Sequence, residues 1–251
     1  MILSGISTEM RIFEKNQLHR EIAKTNKQGY TESSTNTHCS PNLCMSMNCP
    51  LCHHNGNPFH ENEFLECNNC HGIYRHHIFY LSREEEQKRY ETHNNDVNDD
   101  RYRQFVSPIT NCVLRDFRPE HTGLDFGAGT GPVISKILKE NGYNIAQYDP
   151  FFINSKHLLQ QQYDYIVCCE VIEHFQNPAS EFNLLRGMLK PDGQLICMTH
   201  IYDHKIPFPN WYYKNDPTHV FIYQQPTIEY IATQFNLHLL TSEVRLIVWK
   251  G

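Results

Sequence analysis

The sequence predicts an α/β protein: a doubly wound, largely parallel sheet preceded by a small cysteine-rich module. Three observations carry this. From Thr122 onward, short apolar runs alternate with amphipathic ones, the pattern of strands linked by helices. The stretch DFGAGTGPV, residues 125–133, sets Gly127, Gly129 and Gly131 between an apolar strand and an apolar helix, as in loops that approach a bound nucleotide. CPLC and CNNC, separated by 14 residues, place four cysteines in two CxxC pairs.

Taken in order, residues 1–28 read as one amphipathic helix with Ile12, Leu18 and Ile22 on a stripe. Residues 29–48 are rich in Ser, Thr and Asn. Residues 1–48 are therefore expected to be an extension and linker with little order of its own. Residues 49–80 form the Cys/His-rich module. Ser82, with Glu85 three positions on, predicts a capped helix start. After the polar break HNNDVNDD, the stretch DRYRQFVSPITNCVL predicts a helix interrupted at Pro108. Residues 81–121 thus read as a helical linker or lid.

Residues 122–251 carry the α/β pattern. Strands are expected over Gly123–Phe126 and over residues 143–149, 163–170 and 194–202. Helices are expected at Pro132–Asn141, residues 180–190 and Thr227–Phe235, with a turn at KPDG and a closing antiparallel pair in residues 237–250. Residues 163–170 are apolar almost throughout, as a parallel strand buried on both faces must be.

Composition narrows the function. Net charge is −6, and residues 45–120 carry 8 basic against 12 acidic side chains. Nucleic acid is then a possible but not a favoured partner, since phosphate binding needs a basic excess. No apolar run approaches bilayer length, and acidic residues follow closely on the short N-terminal apolar patch, unlike a secretory signal. A cytoplasmic protein without membrane contact is expected. Ten cysteines, four of them in CxxC pairs, then point to metal rather than disulfides.

The glycine loop is neither of two common phosphate cradles. A dinucleotide fingerprint counted from Gly127 needs glycine at 132, where the chain has Pro132, and no Gly-Lys-Ser/Thr ending is present. Asp125 lies two residues before Gly127, and Asp149 ends the next strand 22 residues after it, where a carboxylate can accept both ribose hydroxyls. This spacing resembles motif I of class I S-adenosylmethionine methyltransferases, and the EVIEH and LKPDGQL stretches follow in that family's order. The resemblance implies a Rossmann-like class I methyltransferase sheet. It implies that Asp125, Gly127, Ala128 and Gly129 surround the cofactor's amino-acid end, with Asp149 on the ribose and Glu170 at the next strand end. In one respect the chain departs from the family: the segment from Asp149 to Asp164 is too short for the usual helix and third strand. The sheet is expected to be shortened there, with Phe151, Phe152 and Gln160 as candidate adenine contacts.

Cys49, Cys52, Cys67 and Cys70 can present four thiolates tetrahedrally, which suits a closed structural Zn²⁺ site. From CPLC to DPTHV, about residues 47–251, the chain looks most like a bacterial family of zinc-ribbon class I methyltransferases. It also resembles zinc-bearing ribosomal RNA guanine methyltransferases and sugar C-methyltransferases. The reading that follows is methyl transfer to a small-molecule acceptor. The alternatives are an RNA methyltransferase that docks through its ribbon, or an adaptor whose cofactor fold has decayed.

His174 and His219 are the candidate catalytic residues, with His200 a further possible base. EVIEH also resembles stretches of ubiquinone-pathway O-methyltransferases and plant-type small-RNA methyltransferases, and this resemblance implies a possible second divalent ion at Glu170, Glu173 and His174. A bare histidine base is the simpler expectation. Trp211, Tyr212 and Tyr213 are candidates for an acceptor wall, and Tyr90, His93 and Asn94 for a lid.

Overall fold

The computed structural model describes residues 48–92 and 96–251. The expected N-terminal helix, the linker up to residue 47, and the lid candidates His93 and Asn94 lie outside the described residues.

The cysteine-rich module is a three-stranded antiparallel meander: β1 (Gly56–His60), β2 (Phe64–Cys67) and β3 (Ile73–Arg75). The β1–β2 turn puts Glu61 (φ 49°) and Asn62 (φ 54°) both in the left-handed region, as a type I′ hairpin turn requires. Each CxxC pair closes a turn of the same design. His53 N–H donates to Cys49 O (2.8 Å) and His71 N–H to Cys67 O (3.2 Å), and both histidines take positive φ, at 61° and 57°.

Three helices follow. α1 (Arg83–Glu91) starts at Ser82 with the expected capping box: Glu85 N–H donates to Ser82 Oγ, and Ser82 N–H donates back to Glu85 Oε2 at 3.0 Å. The helix expected to be interrupted at Pro108 is two helices, α2 (Asp100–Phe105) and α3 (Ser107–Asp116), meeting at Val106. Pro108 is tolerated because it falls in the first turn of α3, where no intrahelical N–H is needed.

The large sheet comprises β4 (Thr122–Phe126), β5 (Asn144–Tyr148), β6 (Tyr163–Cys169), β7 (Leu189–Met198), β9 (His238–Ser242) and β10 (Leu246–Lys250), in the order β5-β4-β6-β7-β10-β9. β5, β4, β6 and β7 are parallel, and β10 runs antiparallel to both β7 and β9. The linking helices are α4 (Val133–Glu140), α5 (Pro178–Met188) and α6 (Gln225–Gln234). Side chains of β6 alternate between two cores: Tyr165 and Val167 pack with α3 and α4, while Ile166 and Cys168 pack with α5 and α6. The KPDG turn is absorbed into the start of β7, where Asp192 takes φ 64° and the register against β6 shifts. The expected shortening is present. Lys156–Gln160 is a 3-10 helix, and β5 is the sheet edge among the described residues.

Two features position a site. The chain leaves β4 towards β5 on one side and returns to β6 on the other, so the carboxyl ends of β4 and β6 flank a topological switch point, where such sheets bind ligands. In addition, β8 (Phe221–Ile222), from the segment after β7, pairs with β3. Residues 49–80 and 122–251 therefore share one four-stranded sheet, β1-β2-β3-β8. Gly72 permits this approach, because a Cβ there would lie 2.3 Å from the Phe221 ring.

Candidate active site

The glycine loop leaves β4 at the switch point. Gly127 takes φ 80°, and a Cβ on it would lie 2.5 Å from Val171, so the turn admits only glycine. Gly127 and Ala128 N–H both donate to Tyr148 O, at 2.8 and 3.1 Å, which folds the loop across the end of β5. A Cβ on Gly129 (φ 60°) would meet nothing within 4 Å, so this side of the loop is open.

Asp149 sits where β5 ends and is buried. Its Oδ2 accepts from Gly129 N–H at 2.9 Å, and its Oδ1 accepts from the N–H groups of Phe151 and Phe152 at 2.8 and 3.1 Å. The carboxylate thereby ties the glycine loop to the Pro150–Phe152 loop. Asp125 is placed differently: it is buried, and its Oδ2 accepts from Ser135 Oγ of α4 at 2.7 Å. Burial raises its carboxyl to about 6, against the pull of the Ser135 hydrogen bonds. α1 covers the outer side of the loop. Arg83 donates to Pro150 O at 3.1 Å and lies over the Phe151 ring, and Tyr90 packs edge-on against both Phe151 and His174.

At the end of β6, Glu170 takes φ 51°, unusual for a side chain of this size and costing about 1–3 kcal/mol. Its N–H donates to Met198 O (2.8 Å), its Oε1 accepts from Arg245 (3.1 Å), and its Oε2 lies 3.1 Å from Tyr213 OH. Three residues on, the 3-10 turn Ile172–His174 brings Glu173 and His174 beside His219 of the DPTHV segment.

One ligand atom from each of Glu173, His174 and His219 lies within 4.8 Å of the others. Glu173 is fully buried; Oε1 accepts from Tyr213 OH, while Oε2 has no hydrogen-bond partner among the described residues. Burial raises this carboxyl to about 7. His174 Nδ1 meets Thr218 O at 3.0 Å and His219 Nδ1 meets Tyr213 O at 2.7 Å. A carbonyl can only accept, so both Nδ1 atoms carry a hydrogen. Burial lowers His219 to about 3, holding it neutral.

The DPTH turn anchors this cluster. Asp216 Oδ1 accepts from Thr218 N–H and Oγ1, and its Oδ2 accepts from Arg89 of α1 at 2.7 Å. Burial opposes the charge on Asp216, yet Arg89 and the Thr218 hydrogen bonds hold the carboxyl far below its ordinary range. Glu170, expected to share an ion with Glu173 and His174, is instead engaged by Arg245 and Tyr213, and His219 takes the third place. His200 lies apart from this trio, with Nδ1 3.3 Å from Tyr212 OH. Trp211 and Tyr213 are buried, packed with Phe64 and Ile73 of the cysteine module, so only Tyr212 of the expected acceptor wall is partly exposed.

The four cysteines converge. Their sulfurs all lie within 4.8 Å of one another, with Cys49–Cys70 at 3.5 Å and Cys52–Cys67 at 3.2 Å, and none is disulfide-bonded to another described residue. A tetrahedral zinc–thiolate site has sulfurs about 3.8 Å apart, so the set fits. The Cys49–Cys70 contact lowers the Cys49 thiol and raises the Cys70 thiol, as two sulfurs sharing one proton would.

Sequence reasoning missed Arg75, Arg89 and Asp216, and it placed Tyr213 in an acceptor wall rather than on Glu173. Of the three missed residues, only Asp216 lay in a stretch the motifs had marked. The two arginines act across more than 120 residues of chain, a distance that local spacing cannot report.

Comparison with known proteins agrees with this architecture. Residues 97–242 match the family model described as a methyltransferase domain. The ubiquinone biosynthesis O-methyltransferase of Serratia proteamaculans (strain 568) is 32% identical over 78 residues, 31% of this chain and 32% of its own. That of Actinobacillus pleuropneumoniae serotype 5b (strain L20) is 32% identical over 82 residues, 31% of this chain and 35% of its own. The chain thus spans about a third of the length of these relatives. Among solved structures, the Burkholderia thailandensis 1,6-didemethyltoxoflavin-N1-methyltransferase, with S-adenosylhomocysteine bound, aligns at a TM-score of 0.48 and 13% identity, covering 67% of this chain and 86% of that one. The magnesium protoporphyrin IX methyltransferase of Synechocystis PCC 6803 aligns at 0.46 and 14%, covering 69% and 96%. Since the family model takes in more than half of the sequence, glycine loop and EVIEH strand included, the chain belongs to the methyltransferase-domain family and has the class I S-adenosylmethionine-dependent fold.

Proposed function

We propose that the protein transfers the methyl group of S-adenosylmethionine to a hydroxyl of a small molecule, and that Glu173, His174 and His219 form the centre that activates this hydroxyl. The observation that carries the reading is the convergence of the three side chains beside the strand end that follows the glycine loop. The O-methyltransferase names of the curated relatives support oxygen as the acceptor atom. The acidic balance of the cysteine module weighs against RNA.

On this reading the glycine loop and Asp149 hold the cofactor, with Glu170 near its sulfonium end. The acceptor oxygen attacks the methyl carbon in line, the carbon–sulfur pair returns to sulfur, and S-adenosylhomocysteine leaves. The hydroxyl proton must go to a base. His174 and His219 each offer an Nε2 lone pair when neutral, and their Nδ1 bonds hold the rings in place.

The donor set also fits a divalent cation. A buried carboxylate oxygen without a partner among the described residues, beside two imidazole rings, is costly unless something positive completes it. Glu173, His174 and His219 would hold the ion, which would polarise the acceptor hydroxyl and lower its pKa. Glu173 Oε2 moves the balance from the bare histidine base to this assisted form. The four cysteines are read as holding one structural zinc.

The test is methyl transfer from methyl-labelled S-adenosylmethionine to a panel of phenols and catechols. Activity should be lost when labile divalent metal is removed with the ribbon zinc retained, and should return with magnesium or manganese. Activity indifferent to that treatment would leave a bare histidine base. No transfer to any hydroxylated acceptor would sink the O-methylation reading.

Cofactor placement has its own test. Asp149→Ala should weaken S-adenosylhomocysteine binding by about 1.5–3 kcal/mol in calorimetry, because a charge-assisted acceptor is lost and Gly129 N–H loses its partner. An unchanged affinity would remove Asp149 from the cofactor site.

A further inference from the structure

Arg75 lies in the cysteine module, five residues after Cys70, yet its guanidinium spends its donors on the acceptor side. It is 6% exposed. Nη2 donates to Lys214 O at 3.0 Å and to Asp216 O at 3.1 Å, and Nε donates to His219 O at 3.3 Å. Nη1 is paired with Glu63. The Arg75 N–H donates in turn to Val220 O at 2.8 Å, extending the β3–β8 pairing.

We propose that Arg75 is a positioning residue for the acceptor centre: its guanidinium ties the main chain of Lys214–His219 to the cysteine ribbon and so sets where the His174 and His219 rings stand. The inference rests on the assignment of His219 to that centre. Both rings depend on carbonyls of the clamped region, His219 on Tyr213 O and His174 on Thr218 O. Each of those carbonyls is next in sequence to one that Arg75 grips or to the residue that carries it. No other side chain can do this. Three carbonyls and a carboxylate lie around one buried point, and only a guanidinium supplies donors in a planar fork to all of them. A lysine offers three donors from a single nitrogen.

The arrangement also explains why the ribbon shares a sheet with β8 rather than standing off on a linker. Glu63 and Glu66, both from the ribbon, complete the contact: Glu63 neutralises Arg75, and Glu66 accepts from Gln224 Nε2 at 2.8 Å, just beyond β8. The module thus reads as a scaffold for the acceptor segment, a role that calls for no nucleic acid.

The experiment uses the full chain with its ribbon metal, comparing wild type, Arg75→Met and Arg75→Lys. Long-range nitrogen–proton spectra of the histidine side chains report the tautomer of His219, and calorimetry reports S-adenosylhomocysteine affinity. Arg75→Met should keep the ribbon zinc and the cofactor affinity, lose the Nδ1–H signature of His219, and lower kcat more than it raises KM. Arg75→Lys should recover part of that signature. A folded Arg75→Met protein with an unchanged His219 signature overturns the proposal. If Arg75→Met loses its fold or its zinc, Arg75→Lys decides: an altered His219 signature with zinc retained supports the role, and an unaltered one overturns it. The histidine spectra need neither acceptor nor turnover, so a failure of the methyl-transfer reading would register separately.

Discussion

Glu173→Gln is expected to lower kcat by about 10²–10³-fold while leaving S-adenosylhomocysteine affinity within about twofold. Glutamine is nearly isosteric and can still accept from Tyr213 OH, so the fold should survive. What is lost is the negative charge that completes a donor set with the two histidines. Added magnesium or manganese should not rescue the variant.

The same substitution has a pH signature in protein freed of labile divalent ions. Burial raises the Glu173 carboxyl to about 7, with Tyr213 and Arg245 pulling the other way. The folded state therefore binds this proton more tightly than the unfolded state. Its contribution to wild-type stability falls as pH climbs from the ordinary carboxylate range through about 7, then levels off. Glutamine has no proton to lose, so the variant should gain on wild type across that window. The gain should reach roughly 3 kcal/mol above pH 7 and vanish in acid. Denaturant midpoints at several pH values check this, and a difference that does not change with pH would show Glu173 to be solvated. Divalent metal should reverse the order, since a bound cation favours the carboxylate.

Cys70→Ser is expected to take the ribbon metal from about one zinc per chain to none and to lower the unfolding midpoint sharply. Cys70 is fully buried against Cys49. Structural zinc sites in isolated peptides supply about 10–16 kcal/mol, so little of the ribbon should persist without it. Since β3 carries both the strand pairing to β8 and Arg75, loss of the ribbon should disable methyl transfer. The glycine loop rests on β4 and β5 instead, so S-adenosylhomocysteine should still bind to whatever protein stays folded. Metal analysis and calorimetry on one preparation check both halves. A Cys70→Ser protein with full zinc and an unmoved midpoint would contradict the four-cysteine site.

Among the described residues no helix is long and apolar enough to cross a membrane, in keeping with the absence of any apolar run of that length in the sequence.

Much of the architecture was legible because it is written in local periodicity. The apolar run at residues 163–170 has the pattern of a buried parallel strand, and β6 has Tyr165, Ile166, Val167 and Cys168 at 0% exposure. Ser82 with Glu85 announced the start of α1, and Pro108 the break between α2 and α3. The two CxxC pairs announced a convergence of four sulfurs, since each knuckle is a closed local turn. The gap between Asp149 and Asp164 was too short for a helix and a strand, and only a 3-10 turn lies there.

What the sequence could not specify is which distant groups meet. Glu170, Glu173 and His174 are neighbours in the chain, and nothing local says that the first faces Arg245 while the other two face His219. The left-handed turn at Glu170 makes that division, and it is held by Met198 of the adjoining strand. The partnership of ribbon and acceptor segment is likewise invisible in spacing, since Arg75 and His219 lie 144 residues apart. The sequence by itself determined the sheet, the glycine loop and the cysteine knuckles, because hydrophobic period, turn chemistry and thiolate spacing act over a few residues. Only the tertiary structure decided which groups meet in the Glu173–His174–His219 cluster, because desolvated carboxylates, imidazoles and a guanidinium find their partners by packing, without regard to distance along the chain.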